Sequence, residues 1–212
     1  ILAEQYPEDA NILFSLGLAH KEIGDLAKAR QTFKTLIEQE QRTSDAHYLL
    51  GRIAEEDKQP EEAVFQYRQV KDGQNLLPAS MRVAELYTEH ENLAAGREYL
   101  SSLRAIYPAL RENLFQMEAE LLIKMDRLNE AYDLLSTGIA EDENSVNLRY
   151  ARSIISAEQQ DMAAVEDDLR AILAIDRSNA TALNALGYTM LNLTDRYQEA
   201  QALIEQAYAL EP

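Results

Sequence analysis

Residues 13–36 read LFSLGLAHKEIGDLAKARQTFKTL, and this stretch decides the fold. Leu26, Ala29, Phe33, Leu36 and Ile37 recur at intervals of three and four, the period of a helix face rather than of a strand. Ile23-Gly24-Asp25 interrupts the pattern with a turn signal. The stretch therefore predicts two helices joined by a tight polar turn, with small residues at Gly17 and Ala29 where the helix axes cross closely.

Working outward, the same pattern recurs through the chain. A small residue stands at Gly17, Gly51, Ala84, Ala119, Ser153 and Gly187, with gaps of 34, 33, 35, 34 and 34. Behind each comes a second compact residue (Ala29, Ala63, Gly96, Ala131, Val165, Ala200) and then a large apolar one: Phe33, Tyr67, Leu100, Leu135, Leu169 and Ile204. Three residues further on stand Leu36, Val70, Leu103, Gly138, Ile172 and Ala207, and of all these positions Gly138 alone fits poorly. The turns carry matching punctuation. Gln59-Pro60-Glu61-Glu62 places Pro in a first helical turn, and Asp126, Asp161 and Asp195 are expected to cap the helices that follow. The last copy has one extra residue near Asn192–Thr194, and Glu118, Arg149 and Arg152 occupy positions that are apolar in the other copies.

Composition excludes several functions. Of 212 residues, 20 are Lys or Arg and 37 are Asp or Glu, a formal charge of −17, which argues against a nucleic-acid partner and against an anionic lipid surface. The absence of Cys excludes disulfides, a thiolate nucleophile and thiolate metal sites. No apolar run reaches the roughly 18 residues of a membrane span, so no direct membrane insertion is expected. The first residues lack a signal peptide, and the chain lacks an initiating Met, which implies a piece of a longer protein whose targeting segment lies elsewhere.

Catalytic constellations are missing from the sequence. His20, His47 and His90 form no ligand spacing, and His20 lies on an inward stripe as a packing residue. The Gly residues form no phosphate loop and no nucleophile elbow. Glu55-Glu56-Asp57, Glu141-Asp142-Glu143 and Glu166-Asp167-Asp168 lack the rhythm of a calcium loop and read as solvated faces. The expectation is a protein that is not an enzyme and that uses no cofactor and no metal.

A helix–turn–helix of this length, with Leu13-x-x-Leu16-Gly17-x-x-His20 followed by Ala29-x-x-x-Phe33, resembles the tetratricopeptide repeat (TPR). Leu183-x-x-Leu186-Gly187 with Ala200, Ala207 and Pro212 is a second close copy. The resemblance implies an all-α, right-handed superhelical solenoid of about six helix-turn-helix repeats, one array over residues 1–212, with residues 1–9 ending a preceding repeat. It also implies that the first helices line a concave groove for a protein or peptide partner. The residues it places there are Phe14, Leu18, Tyr48, Arg52, Met81, Glu85, Gln116, Glu120, Tyr150, Ile154, Asn184 and Tyr188. The Lys and Asn with which some members clamp a terminal carboxylate are replaced here by Phe14, Leu18, Tyr48 and Arg52. Replacing Tyr48 and Tyr150 by Ala is expected to weaken partner binding while sparing stability.

The final segment, Ala182–Thr189 with Thr194–Ala200 and Ala207–Pro212, resembles TPR lipoproteins of Gram-negative bacteria. That likeness implies an array anchored on the outer membrane in the periplasm, serving as a scaffold or adaptor that brings substrates to a carboxyl-terminal processing protease. A cytoplasmic location is the alternative. The apolar ends, Ile1-Leu2 and Ala207, Tyr208 and Leu210, suggest instead a structural assembly subunit of a secretion, pilus or envelope complex, with end-to-end self-association.

Overall fold

The computed structural model describes residues 9–210, and among them the chain forms twelve α-helices and no strand. The expectations for Ile1, Leu2, the rest of residues 1–8 and Pro212 lie outside the described residues. The helices follow one another as six hairpins. They are α1 (Ala10–Glu22) and α2 (Leu26–Glu38), α3 (Thr43–Glu56) and α4 (Pro60–Tyr67), α5 (Leu76–Glu89) and α6 (Leu93–Ile106), then α7 (Arg111–Lys124) and α8 (Leu128–Glu141), α9 (Val146–Glu158) and α10 (Met162–Ile175), and α11 (Ala180–Leu193) and α12 (Tyr197–Leu210). A 3-10 turn, Pro108–Leu110, precedes α7. The chain divides into two compact units, residues 1–100 and 101–212.

In the first unit Leu13, Ala29, Phe33, Leu36, Ala46, Leu49, Leu50 and Ile53 form one core. Full burial of a Leu, Ile or Phe side chain stabilises by about 1.5–3 kcal/mol, so these stripes hold the hairpins together. The small residues of the first helices are required by contact: a Cβ on Gly17 would stand 2.5 Å from the Phe33 ring, and one on Gly51 would stand 2.6 Å from Tyr67. In the second unit Val165, Leu169, Ile172, Ala182, Leu186, Met190 and Ala200 make the corresponding core.

Gly138 corrects the sequence reading, because its missing side chain is replaced by neighbours. A Cβ there would meet Leu148 at 2.7 Å and Phe115 at 3.1 Å. Large and small residues alternate across the seam between successive hairpins: Leu36 shares its core with Ala46, Ile172 with Ala182, and Gly138 abuts Leu148. Seam volume is thus kept while the large residue changes sides, as close packing demands.

The hairpin turns share one backbone solution. Gly24, Lys58, Glu91, Asp126 and Gln160 occupy equivalent positions and all adopt positive φ, between 57° and 78°. The residue after each starts the next helix, and Asp25, Asn92 and Asp161 there accept hydrogen bonds from the amides of Lys28, Ala95 and Ala164. Asp161 therefore caps as expected. Asp126 does not, since it is the left-handed residue itself and Arg127 holds the cap position without a side-chain bond. In the sixth hairpin the extra residue replaces this turn by extended backbone at Thr194, and the Asp195 carboxylate accepts from the Tyr197 hydroxyl.

The polar residues at apolar positions have partners, Glu118 buried and Arg149 and Arg152 partly buried. Glu118 is 2% exposed, and Arg104 donates to it at 2.6 Å. Asp168, 1% exposed, accepts from Arg152 at 2.7 and 2.8 Å and from Arg149 at 3.3 Å. The solvated-face reading of that acidic cluster therefore fails at Asp168, whose carboxylate joins α9 to α10. In the second hairpin α4 ends early, at Tyr67, and the connection to α5 is tied back to α3. Ser44 lies 2.5 Å from Asp72 and Asn75 donates to Asp45 at 2.8 Å.

Candidate functional site

The residues placed on the first helices divide into packed and open groups. In the first unit, the Phe14 ring lies tilted on Phe33, centroids 6.1 Å apart, and carries the Arg42 guanidinium 3.6 Å from its centroid. Arg42 is itself pinned by Asp45 at 2.8 Å. Leu18 packs against the first core. Tyr48 lies on Tyr67 with centroids 5.7 Å apart. Met81 and Glu85 are half-buried, and Glu85 accepts from Arg82 at 2.5 Å. Of the six positions in this unit, Arg52 alone is in the exposed class.

The second unit is more open. Gln116 is half-buried, Glu120 is exposed and pairs with Lys124 at 3.1 Å, and Tyr150 packs against the core. Ile154 is 52% exposed and Tyr188 is 63% exposed, and each directly follows the small residue of its first helix. Asn184 is exposed and lines a pocket with Ala180, Thr181, Ile204, Ala207 and Tyr208. Leu191, absent from the sequence reading, is 43% exposed and stands three residues after Tyr188 on α11. Helical periodicity beyond the first turn after Gly187 was the signal for it. Ile154 and Tyr188 thus set exposed apolar side chains at one repeated position of α9 and α11.

Because Tyr48 and Tyr150 both pack inward, their removal opens the cores, and the expectation that their loss spares stability is corrected on that ground.

The electrostatics of the first unit centre on Glu55, which accepts from the Tyr67 hydroxyl at 2.5 Å and from Arg82 Nε at 3.2 Å. Burial pushes the Glu55 carboxyl up, but the bonds from Arg82 and Tyr67 outweigh it and hold the carboxyl below its ordinary value. Burial and the same bond push the Tyr67 hydroxyl up, so it stays a donor. In the second unit Arg196 and Arg170 each reach Glu166 and Glu199, at 2.6–2.8 Å. Hydrogen bonds from Arg196 and Arg170 hold the Glu166 carboxyl down, and those from Arg170 and Arg196 do the same for Glu199. These groups clip α10 to α12 and are structural ion pairs. His20 is half-buried, and among the described residues no three His, Asp or Glu side chains gather as a metal site. No described helix is long and apolar enough to cross a membrane.

Comparison with known proteins agrees with this geometry. The family model described as tetratricopeptide repeat matches residues 1–39 and 14–73. The TPR repeat-containing protein PA4667 of Pseudomonas aeruginosa is 36% identical over 167 residues, which cover 79% of this chain and 28% of that protein. Among solved structures, the MamA protein superposes with a TM-score of 0.52 at 14% identity, covering 80% of this chain and 92% of MamA. The pilF protein of Pseudomonas aeruginosa superposes with a TM-score of 0.52 at 16% identity, covering 96% of this chain and 92% of pilF. At such identities the two structures share the fold. Repeat spacing, paired helices and the two structures agree on the fold, an all-helical tetratricopeptide-type repeat, and the family model matches it directly over residues 1–73.

Proposed function

We propose that this chain is a non-catalytic scaffold that binds a polypeptide partner on the open face of the first helices of its second unit. The observation that carries the reading is the exposure of Ile154 and Tyr188 at the same position of successive repeats, extended by Leu191. Exposing large apolar side chains to water costs free energy, and a repeated stripe of them without a structural task is best explained by a partner that covers it. The negative charge disfavours nucleic acid and selects a neutral or basic polypeptide.

In the finer form of the proposal, the chain is part of a longer periplasmic protein anchored on the outer membrane that delivers substrates to a carboxyl-terminal processing protease. Its support is the likeness of the last segment to such lipoproteins. The test is an affinity pull-down from a Gram-negative periplasmic extract, with the wild-type chain and an Ile154→Asp/Tyr188→Asp variant. Recovery of a processing protease or a cell-wall hydrolase by the wild type alone supports the adaptor. Equal recovery by both overturns the assignment of the face.

A second reading, a structural assembly subunit, is favoured by a pocket of about 360 Å³ on the sixth hairpin, where Tyr208 is 70% exposed. Sedimentation that shows self-association reversed by Tyr208→Asp selects this reading; a monomer at all concentrations sinks it.

A further inference from the structure

The first unit carries an apolar pocket that none of the twelve candidate positions lines. It measures about 340 Å³ and lies between the start of α4 and the end of α5, bounded by Pro60, Glu61, Val64, Leu86, Tyr87 and His90. That volume matches the lower range of ligand pockets, which are mostly apolar with a few directing polar groups. Arg68 donates to the Tyr87 hydroxyl at 3.3 Å and fixes one wall. One residue beyond Val64 stands Phe65, 56% exposed, so apolar surface continues along α4 outside the pocket.

Glu61 and His90 bring acceptors to the rim, while the Tyr87 hydroxyl, which accepts from Arg68, keeps its own proton to donate. His90 Nδ1 lies 2.8 Å from the Leu86 carbonyl, so Nδ1 carries a proton there, and a ring protonated at Nδ1 alone offers Nε2 as an acceptor. Glu61 is exposed and makes no ion pair among the described residues, and Glu91, beside His90 in the turn, is exposed as well. An apolar hole rimmed by a carboxylate and an imidazole acceptor complements an apolar group with a cation beside it.

We infer that this pocket docks a short segment of a protein partner in which an aromatic side chain stands next to a lysine or arginine. The ring fills the space over Val64 and Leu86, and the cation meets Glu61 and His90 Nε2. The inference shares with the scaffold reading only that the occupant is a polypeptide, and it concerns a different unit.

The experiment is a methyl NMR titration of the 212-residue chain, Leu/Val labelled, with acetyl-Phe-Lys-amide and acetyl-Phe-Glu-amide as probes. The Val64 and Leu86 methyls are expected to shift with the Phe-Lys probe and to bind the Phe-Glu probe about fivefold more weakly, the scale of an exposed ion pair. Glu61→Gln should erase that difference while keeping the shifts, and Val64→Glu should remove them. The Ile154→Asp/Tyr188→Asp variant should leave them intact, which separates this site from the face proposed above. Val64 and Leu86 methyls that stay still with the Phe-Lys probe, or respond equally to both probes, overturn the inference.

Discussion

Leu148 places its Cδ1 2.7 Å from the point where a Cβ on Gly138 would stand, so one residue occupies the volume that the other leaves. In two other seams the large residue comes from the earlier hairpin, Leu36 sharing a core with Ala46 and Ile172 with Ala182. Leu148→Ala should therefore cost about 2–5 kcal/mol through a cavity, and Gly138→Leu about 1–3 kcal/mol through overpacking. The double variant should be more stable than the sum of the single losses, because it restores the arrangement of the other seams. Chemical denaturation of the four proteins measures the coupling, and strict additivity would refute the volume exchange.

Asp168 is buried between Arg149 and Arg152, and Asp168→Ala leaves two partly buried cations without their carboxylate. Such removal costs about 3–5 kcal/mol. The expected outcome is a large drop in the melting temperature, partly recovered when Arg152→Met is added. A melt unchanged by Asp168→Ala would show the ion pair to be dispensable.

Gly96 and Gly24 should answer Ala in opposite structural terms. A Cβ on Gly96 would stand 2.8 Å from the Ala84 carbonyl oxygen, a backbone atom with little freedom to move. Gly24 has open space around it but a φ of +78°, which L residues tolerate at a cost of about 1–2 kcal/mol. Gly96→Ala should separate α5 from α6 and lower stability by about 1–3 kcal/mol. Hydrogen exchange should report that loss across both helices, and for Gly24→Ala at the turn alone.

Acid should loosen the clip between α10 and α12. Glu166 is held below its ordinary value of 4.5, so its contribution is complete above that pH and fades as the pH falls through the depressed folded value. Glu199 follows the same sign. The opening of α12, read as amide exchange corrected for the intrinsic pH dependence of exchange, should increase below about pH 4.5, and Glu166→Gln should show the greater opening already at neutral pH. High salt should mimic part of the effect, since these pairs are exposed and screened. Protection of the α12 amides, after that correction, that stays constant from pH 6 to 3.5 would contradict this origin.

Tyr67→Phe removes the donor to Glu55 but leaves Arg82 in place. A loss of about 1–2 kcal/mol is expected, near the value of a bond to a charged group discounted for the remaining partner. Thermal denaturation with Glu55→Gln as the companion variant checks it, and a neutral Tyr67→Phe would place the stability in ring packing alone.

The helical hairpins were legible because each rests on local periodicity and on small residues fixed by direct contact, as at Gly17 beneath Phe33. What escaped the sequence depends on partners distant along the chain. Asp168 reads as one of three surface acids until Arg149 and Arg152 are seen to close over it, and Gly138 reads as a defect until Phe115 and Leu148 fill it. Phe14, Tyr48 and Tyr150 showed the right register but not the depth: register gives the angle around a helix, and the neighbouring helices decide how far the ring sinks. The pocket beside His90 had no linear signature, because its walls come from two hairpins.

The left-handed turn residue has an evolutionary consequence. Lys58, Glu91, Asp126 and Gln160 differ in charge and size yet hold nearly one backbone conformation, so the helices on either side dictate the bend and the side chain is left unconstrained by it. These positions are thus sites where a lineage can rewrite surface chemistry without redesigning a repeat, and glycine at any of them is the simplest route to a sturdier protein.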